Sequence, residues 1–398
     1  MPKSLAVNAG SSSLKFKLFD IPSENLEASG LIERIGEKMG HAKIKYDGKK
    51  HEDEMVFKDH GVAVNYLLEQ LTKLGIVKNL DEITGVGHRV VAGGEFFKDS
   101  AVMTDENIKK IDELSEYAPL HNPAELIGIK EFKKALPHAL SIAVFDTSFH
   151  TDLPKENALY AVPYEWYEKY GARKYGAHGT SVRYVSARAA DDLNEAQDHN
   201  KLIIMHLGAG ASITAVKDGK SFDTSMGFSP LAGIMMATRS GDVDPSLVNF
   251  VQEKLGVSSE EMINILNHKA GLLGVSGVSL DMRDILKGAR EGNDRCKLAL
   301  DMFVNRVVRY VGAYIAELGV ADAIVFTAGI GENSDDVRKL VTDKLAYFGV
   351  KIDNDKNVNG SGERDISAPD AKIKTWVIPT NEELMIVRDI ERLRKAQN

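Results

Sequence analysis

The sequence predicts an α/β protein of two duplicated domains, and three stretches carry that prediction. Leu5–Asp20 reads as strand, small-residue turn, strand. Leu5, Ala6 and Val7 lead into Asn8, Ala9, Gly10 and Ser11–Ser13; then Leu14, Phe16 and Leu18 alternate with Lys15, Lys17 and Phe19. Alternation of period two marks a strand with one buried face. The second stretch, Leu202–Gly219, resembles the first: an apolar strand, Gly208-Ala209-Gly210-Ala211-Ser212, then Ile213, Ala215 and Val216, closing on the hairpin-turn pair Asp218-Gly219. The third is strand Ala323–Phe326, followed by Gly329 to Gly331 and a helix beginning near Ser334, where an anion is favoured. A chain of 398 residues, 43% hydrophobic, supports a large core and two domains.

The opening turn offers backbone N–H groups, hydroxyls, the Asn8 amide and Lys15. These suit a polyanion that needs close backbone approach. Gly30–Phe57 is polar and reads as short sheet extensions, and His60–Leu74 as a helix. Ile83–Val91 is a strand broken by Ala92-Gly93-Gly94-Glu95. Arg89 therefore lies near a strand end, where side chains of α/β sheets meet ligands. Thr104–Tyr117 reads as helical. Asn122 is expected to cap the next helix, with Pro123 at its first position and Glu125 completing the pattern. His121 stands just before that helix. Strand Ser141–Phe145 ends in Asp146, which reads equally well as a turn residue or an active-site carboxylate.

Asp146–Pro163 lacks periodicity and marks a domain boundary. Glycines flank His178, and Thr180 is expected to cap the helix that follows. Ser225–Ser246 is a long irregular stretch that contains Arg239; such loops are usually functional or disordered. Helices are expected from Asp244-Pro245 and from Ser258 with Glu261. Lys297–Leu318 is a long helix with Leu300, Val304, Val307, Val311, Tyr314 and Leu318 on one face, stopped by Gly319. Thr380 and Glu383 fit a capping box for the last helix, which leaves Glu382 the freer carboxylate.

Composition narrows the function. The net charge is −8 with no basic run, which argues against a nucleic-acid partner. One cysteine, Cys296, makes neither an internal disulfide nor a Cys-rich metal site and points to a reducing compartment. No apolar run approaches membrane-spanning length, and Met1-Pro2-Lys3-Ser4 leads into a strand without a signal-peptide pattern. A cytoplasmic protein with no membrane partner is the expectation.

Competing templates fail on geometry. A dinucleotide fingerprint opens a helix, whereas Gly208–Ser212 opens a strand. Gly219-Lys220-Ser221 has Thr214 where a Walker A loop needs glycine. Ser12-Ser13-Leu14-Lys15 matches S-x-x-K of serine acyltransferases, but S-D-N and K-T-G are absent. No histidine pair has zinc spacing, leaving oxygen ligands suited to Mg²⁺. Three glycine turns after apolar strands, in halves that resemble each other, suggest an ATP-binding duplicated fold of the actin and sugar-kinase type.

In order along the chain, N-A-G-S-S-S-L-K-F, G-H-R-V-V, P-L-H-N-P, F-D-T-S-F-H, Y-G-A-H-G-T-S, D-T-S-M-G-F-S-P, T-R-S-G-D-V-D-P, F-T-A-G-I-G-E-N-S and P-T-N-E-E-L resemble the motifs of the acetate kinases and their short-chain acid kinase relatives. The resemblance implies two actin-like, ribonuclease-H-like (ASKHA) domains with an ATP cleft between them. It places them at 1–148 with helix 384–398, and at 149–383 with the nucleotide site. It also implies a cytoplasmic homodimer and reversible phosphorylation of acetate to acetyl phosphate by ATP, giving ADP, with Mg²⁺ or Mn²⁺. Residue by residue, Asn8 and Glu382 match the metal positions, and Ser11, Ser13 and Lys15 the first phosphate loop. Arg89 matches the acetate-binding arginine, Asp146 the catalytic aspartate, and His178 and Arg239 the transition-state stabilisers. His206, Leu207, Gly208, Ala209 and Gly210 match the ATP site, as do Asp281, Met282 and Arg283, and Gly329, Ile330, Gly331, Glu332 and Asn333. Val91, Leu120, Ala177 and Pro230 match the acyl pocket.

The sequence departs from the family pattern at several of these places. Ala177 stands where Phe is usual, and Ala209 and Ala211 stand where Asn and Ser are usual; Val182, Ala232 and Ala92 replace a frequent His, Glu and His. Ala177 points to a larger or reshaped acyl pocket and raises a propionate or short-chain acid kinase as the alternative. Ala209 and Ala211 raise a non-catalytic nucleotide-binding paralogue. Retention of Arg89, Asp146, His178, Arg239 and Glu382 argues for turnover.

Overall fold

The computed structural model describes residues 1–119, 121–193 and 199–397. The chain divides into two units. Unit 1 is Met1–Thr151 with Asn381–Asn398, and unit 2 is Asp152–Thr380. Residues 149–151 and 381–383 thus pack with unit 1, and Glu382 shares a unit with Arg89 and Asp146.

Unit 1 holds an eight-stranded sheet: β1 (Lys3–Gly10), β2 (Ser13–Asp20), β3 (Leu26–Glu33), β4 (Gly40–Tyr46), β5 (Lys49–Met55), β6 (Ile83–Val90), β7 (Ala101–Val102) and β8 (Leu140–Phe145). Its order is β5-β4-β3-β2-β1-β6-β8-β7. β1 runs parallel to β6 and β6 to β8; the remaining pairs are antiparallel. Side chains alternate across the pleat. Leu5, Val7, Leu14 and Phe16 therefore face one core with Leu67, Leu71 and Phe132. Ala6 faces the other way, into a core with Ile142, Val144, Ile386, Val387 and Ile390. The C-terminal helix, Glu382–Gln397, covers that second face.

It sits close because β6 carries Gly85 and Gly87. A methyl group at Gly87 would lie 2.2 Å from Ile386 Cγ2, and one at Gly85 would lie 2.4 Å from Ile390 Cγ2. Backbone approach of this kind needs the absence of a Cβ.

Unit 2 holds six strands: β9 (Lys201–Leu207), β10 (Ala211–Lys217), β11 (Lys220–Thr224), β12 (Ala323–Thr327), β13 (Arg364–Asp365) and β14 (Lys374–Val377). Their order is β11-β10-β9-β12-β14-β13, with β9, β12 and β14 mutually parallel and the other pairs antiparallel. This repeats β3-β2-β1-β6-β8-β7 strand for strand and direction for direction. The duplication read from two similar glycine turns is thus a duplication of topology. Helix Asp294–Leu318 buries Phe303, Val307 and Val311 against Ile203, Met205, Ile213 and Phe326, and Gly319 ends it at φ 75°.

Several local expectations are corrected. The last helix is capped by Asn381, whose side chain accepts from Leu384 N–H at 3.2 Å, not by Thr380. Thr380 lies in unit 2 and its hydroxyl pairs with Ser181, while Glu383 pairs with Lys17 in unit 1. Helix Gly179–Asp192 has His178, not Thr180, at its cap position, in left-handed backbone at φ 59°. Gly329 and Gly331 lie inside a short helix, Ala328–Asn333, before the helix that Ser334 caps. For Thr380 and Glu383 the cause is shared: a polar residue at cap spacing has a tertiary partner instead.

Gly87→Val tests the close packing of the C-terminal helix. Overpacking of this kind costs about 1–3 kcal/mol, so the urea midpoint should fall clearly below that of the wild type. An unchanged midpoint would show that the helix is not held against β6.

Candidate active site

In unit 1 two of the candidate side chains, Arg89 and Asp146, meet at the carboxyl ends of parallel strands β6 and β8, where an α/β sheet leaves its ladder unfinished. Arg89 is the penultimate residue of β6, and Asp146 follows β8. Asp146 N–H donates to Val90 O at 2.9 Å, which fixes the two strand ends together. Arg89 Nε donates to Asp146 Oδ1 at 3.0 Å and Nη2 donates to Oδ2 at 2.6 Å. Such a two-pronged pair fixes orientation as well as charge. Asp146 is 2% exposed, and its charge holds the Arg89 guanidinium firmly protonated. His88, one residue earlier, packs edge-on against Phe132 and is neutral because burial pushes its imidazole down to about 3.

Beside this pair are two carboxyl groups. Burial pushes Glu382 up; Arg89 opposes that, and the charge of Asp146 adds to it. Burial likewise pushes Glu125 up to about 8, against the hydrogen bond from Val91 N–H and the charge of Arg89. Glu125 was expected to complete a cap. Instead helix Asn122–Ala135 has no side-chain cap, and both of its first polar residues turn inward. Glu125 Oε2 accepts from Val91 N–H at 3.0 Å; Asn122 Oδ1 accepts from Ala92 N–H at 3.1 Å, and its Nδ2 donates to Ala92 O at 3.0 Å.

The opening turn folds as expected. β1 and β2 pair from Lys3↔Asp20 to Gly10↔Ser13, with Ser11 and Ser12 exposed between them. Asn8 lies opposite Lys15 in this register, so the two side chains share one face of the hairpin. His60 Nε2 lies 2.8 Å from Gly10 O and ties the turn to the sheet's helical cover. Val91 is buried; Leu120 lies outside the described residues.

In unit 2 the β9–β10 turn, Gly208–Gly210, lies against His178 and Arg239. A methyl group built on Gly210 would be 3.4 Å from His178 Nε2 and 3.6 Å from Arg239 Nη1. His178 Nδ1 is 2.9 Å from Ser212 Oγ, and its ring stacks on His206 at 4.0 Å between centroids. His206 Nδ1 in turn meets Ser181 Oγ at 2.8 Å. Arg239 Nη1 donates to Pro230 O at 3.1 Å, and among the described residues Arg239 makes no ion pair. Burial pushes its guanidinium down. Ala177 is 4% exposed and belongs to the core of the unit.

A pocket of about 620 Å³ opens beside this turn, lined by Gly208, Ala209, Asp281, Met282, Arg283, Gly329, Ile330 and Asn333 among others. That size suits a nucleotide-sized ligand. Asp281 caps the helix Met282–Arg290 and holds Arg283 through two hydrogen bonds, which lowers its carboxyl to about 2. The expected ATP-site residues His206, Leu207, Gly210, Gly331 and Glu332 do not line it; Glu332 Oε1 accepts from Thr380 N–H. Arg290 and Asp336, which sequence reasoning missed, pair at its edge.

The raised Glu125 sets a sign for stability against pH. Below about 4.5 the carboxyl is protonated in folded and unfolded chains alike. Between there and about 8 the unfolded chain releases its proton first, so stability falls as pH rises. Glu382 acts in the same sense. Melting temperatures of Glu125→Gln measured from pH 5 to 8.5 should decline less steeply than those of the wild type. Identical slopes would contradict the burial of an ionisable carboxyl at this position.

A model of the acetokinase family matches residues 3–388. The acetate kinase of Limosilactobacillus fermentum is 68% identical over 396 residues, covering 99% of this chain and 100% of that protein. The crystal structure of Porphyromonas gingivalis acetate kinase matches with TM-score 0.95 at 42% identity, covering 98% of this chain and 99% of that one. A propionate kinase from Francisella tularensis matches with TM-score 0.92 at 41% identity over the same shares. With identities this high over nearly its full length, and with the repeated sheet and the residues at its strand ends in place, the chain belongs to the acetokinase family.

Proposed function

We propose that this protein transfers the γ-phosphoryl group of ATP reversibly to the carboxylate of acetate, giving acetyl phosphate and ADP. The observation that carries this reading is Arg239. A largely buried guanidinium with no carboxylate partner among the described residues, set against a glycine turn and His178, suits an anionic ligand. The phosphoryl group supplies that anion.

The acid substrate is itself the nucleophile, so no strong base is required. Catalysis is positioning and neutralisation of charge on three equatorial oxygens in direct in-line transfer. We assign Arg89 to the acid's carboxylate and give Asp146 the task of orienting Arg89 rather than removing a proton. Arg239 and His178 stabilise the transferring group, and Ser11, Ser13 and Lys15 hold phosphate from unit 1. The pocket lined by Asp281–Arg283 and Gly329 takes the nucleotide.

The residues of unit 1 also fit a divalent cation. Asp146, Glu125 and Glu382 act on a single guanidinium, Arg89, so carboxyl groups are in surplus. Among the described residues no group of three or more His, Cys, Asp or Glu is arranged to hold a metal by itself. That suits Mg²⁺, which keeps waters and binds largely through substrate phosphates. Asn8 and Glu382 would hold Mg²⁺ or Mn²⁺, which neutralises phosphate charge when bound.

A second copy of the chain is the proposed partner. Helix Pro245–Leu255 buries none of its residues and leaves Leu247, Phe250 and Leu255 more than half exposed. We place the protein in the cytoplasm.

A second reading, preference for propionate or another short-chain acid, is favoured by the small Ala177. Trapping acyl phosphate as hydroxamate tests both readings. The first expects ATP- and acetate-dependent product, with kcat/KM no lower for acetate than for propionate or butyrate. A clear preference for the longer acids supports the second reading, and absence of product with every acid refutes both. In the same assay Arg239→Ala should lower kcat by about 10²–10³, the range for losing a preorganised stabiliser of charge. A rate near that of the wild type would remove Arg239 from the reaction.

A further inference from the structure

Where β6 ends, the chain turns out of the sheet, and three consecutive backbone N–H groups lose their ladder partners. Each is recovered by a side chain. Val91 N–H goes to Glu125 Oε2, Ala92 N–H to Asn122 Oδ1, and Gly93 N–H to Thr147 Oγ1, all at 3.0–3.1 Å. A buried N–H must find an acceptor, so acceptors here are obligatory. Asn122 and Glu125 are three residues apart and share one face of their helix. Thr147 directly follows Asp146. The clamp therefore holds the segment that begins two residues after Arg89, and one of its acceptors is the residue that follows Asp146.

Two of the three acceptors, the Asn122 amide and the Thr147 hydroxyl, are not acids. Glu125 is different: it is a carboxyl only 3% exposed, where a neutral oxygen would satisfy the same N–H without the burden of a buried acid. Its environment also includes the charges of Arg89 and Asp146. It is thus the one clamp residue that belongs electrostatically to the acid-binding cluster.

We infer that Glu125 is a positioning residue for acid binding: its carboxyl holds the Val91 N–H, and through that segment it keeps Arg89 in the orientation the acid requires. The inference rests on the reading of Arg89 as the acid's partner. Glu125 touches neither substrate nor the reacting atoms. Its effect belongs on the acid's KM, since the nucleotide pocket is assigned to unit 2 and the phosphate groups of unit 1 to the opening hairpin, away from residues 89–93.

Glu125→Ala, Glu125→Gln and Glu125→Asp are compared with the wild type in the hydroxamate assay, varying acetate and ATP separately. Glu125→Ala should raise KM for acetate on the order of 10- to 100-fold, the scale for a misplaced binding group, and leave KM for ATP unchanged. Glu125→Gln keeps an oxygen for the Val91 N–H and should restore acetate KM. Glu125→Asp, one methylene shorter, should fall between them, and it carries the test if the alanine variant does not fold. Hydrogen exchange of the segment 89–93 should quicken in Glu125→Ala and recover in Glu125→Gln. An unchanged acetate KM in folded Glu125→Ala, or a glutamine variant that behaves like the alanine variant, overturns the inference and leaves the proposed function standing. A wild type that yields no acetate-dependent hydroxamate removes both.

Discussion

The ion pair of Arg89 with Asp146 is the constraint around which unit 1 is arranged. A charge pair removed from water is stable only when its geometry is good and its remaining atoms are occupied; removing one partner strands the other. Parallel pairing of β6 with β8 brings the two residues to neighbouring strand ends, and the bond from Asp146 N–H to Val90 O locks that approach. The side-chain clamp on residues 91–93 holds the chain where the ladder stops. Gly85 and Gly87 admit the C-terminal helix, whose first residue, Glu382, adds its carboxyl to the same field. Burial above all drives the two further carboxyl groups toward their protonated forms. Unit 1 therefore gathers more carboxyl groups than its one guanidinium answers, which is the ground for the cation proposed above.

Unit 2 presents the complementary condition. Its glycine turn carries no side chain larger than the methyl of Ala209, and His178 and Arg239 lie where a side chain on Gly210 would meet them. His178 is held from one side by Ser212 and from the other by the stacked ring of His206, which Ser181 fixes in turn. The stabilising role proposed for His178 would draw on such a rigid frame. The left-handed backbone at His178 is strain tolerated at a position where side-chain direction matters. The same strand order thus supports a cluster rich in carboxyl groups in one unit and a cationic one in the other.

Much of this was legible in the sequence. Period-two alternation gave the opening hairpin within two residues, and the apolar stripe from Leu300 to Leu318 gave the long helix, short only of its polar first turn, which Asn293 caps. Asp244 and Ser258 cap their helices as read. Asn122, Glu125, Thr380 and Glu383 were misread because cap spacing is a local signal, and each side chain has a distant partner that spacing does not reveal. Nothing local marks Gly85 and Gly87, since the helix that needs them lies some 300 residues further along the chain. The candidate site residues rest on the family resemblance more than on pattern. The side chains that pack around them emerge only from the fold, the hydrogen bond of Glu125 with Val91 N–H above all.

The central claim is that the acid attacks phosphorus directly, while the protein supplies position and charge but no phosphorylated side chain. Turnover with ATP made chiral at its γ-phosphorus by oxygen isotopes tests this most directly. A single in-line transfer to acetate predicts acetyl phosphate of inverted configuration. Retention of configuration would mean two successive transfers through the protein, and would contradict the account.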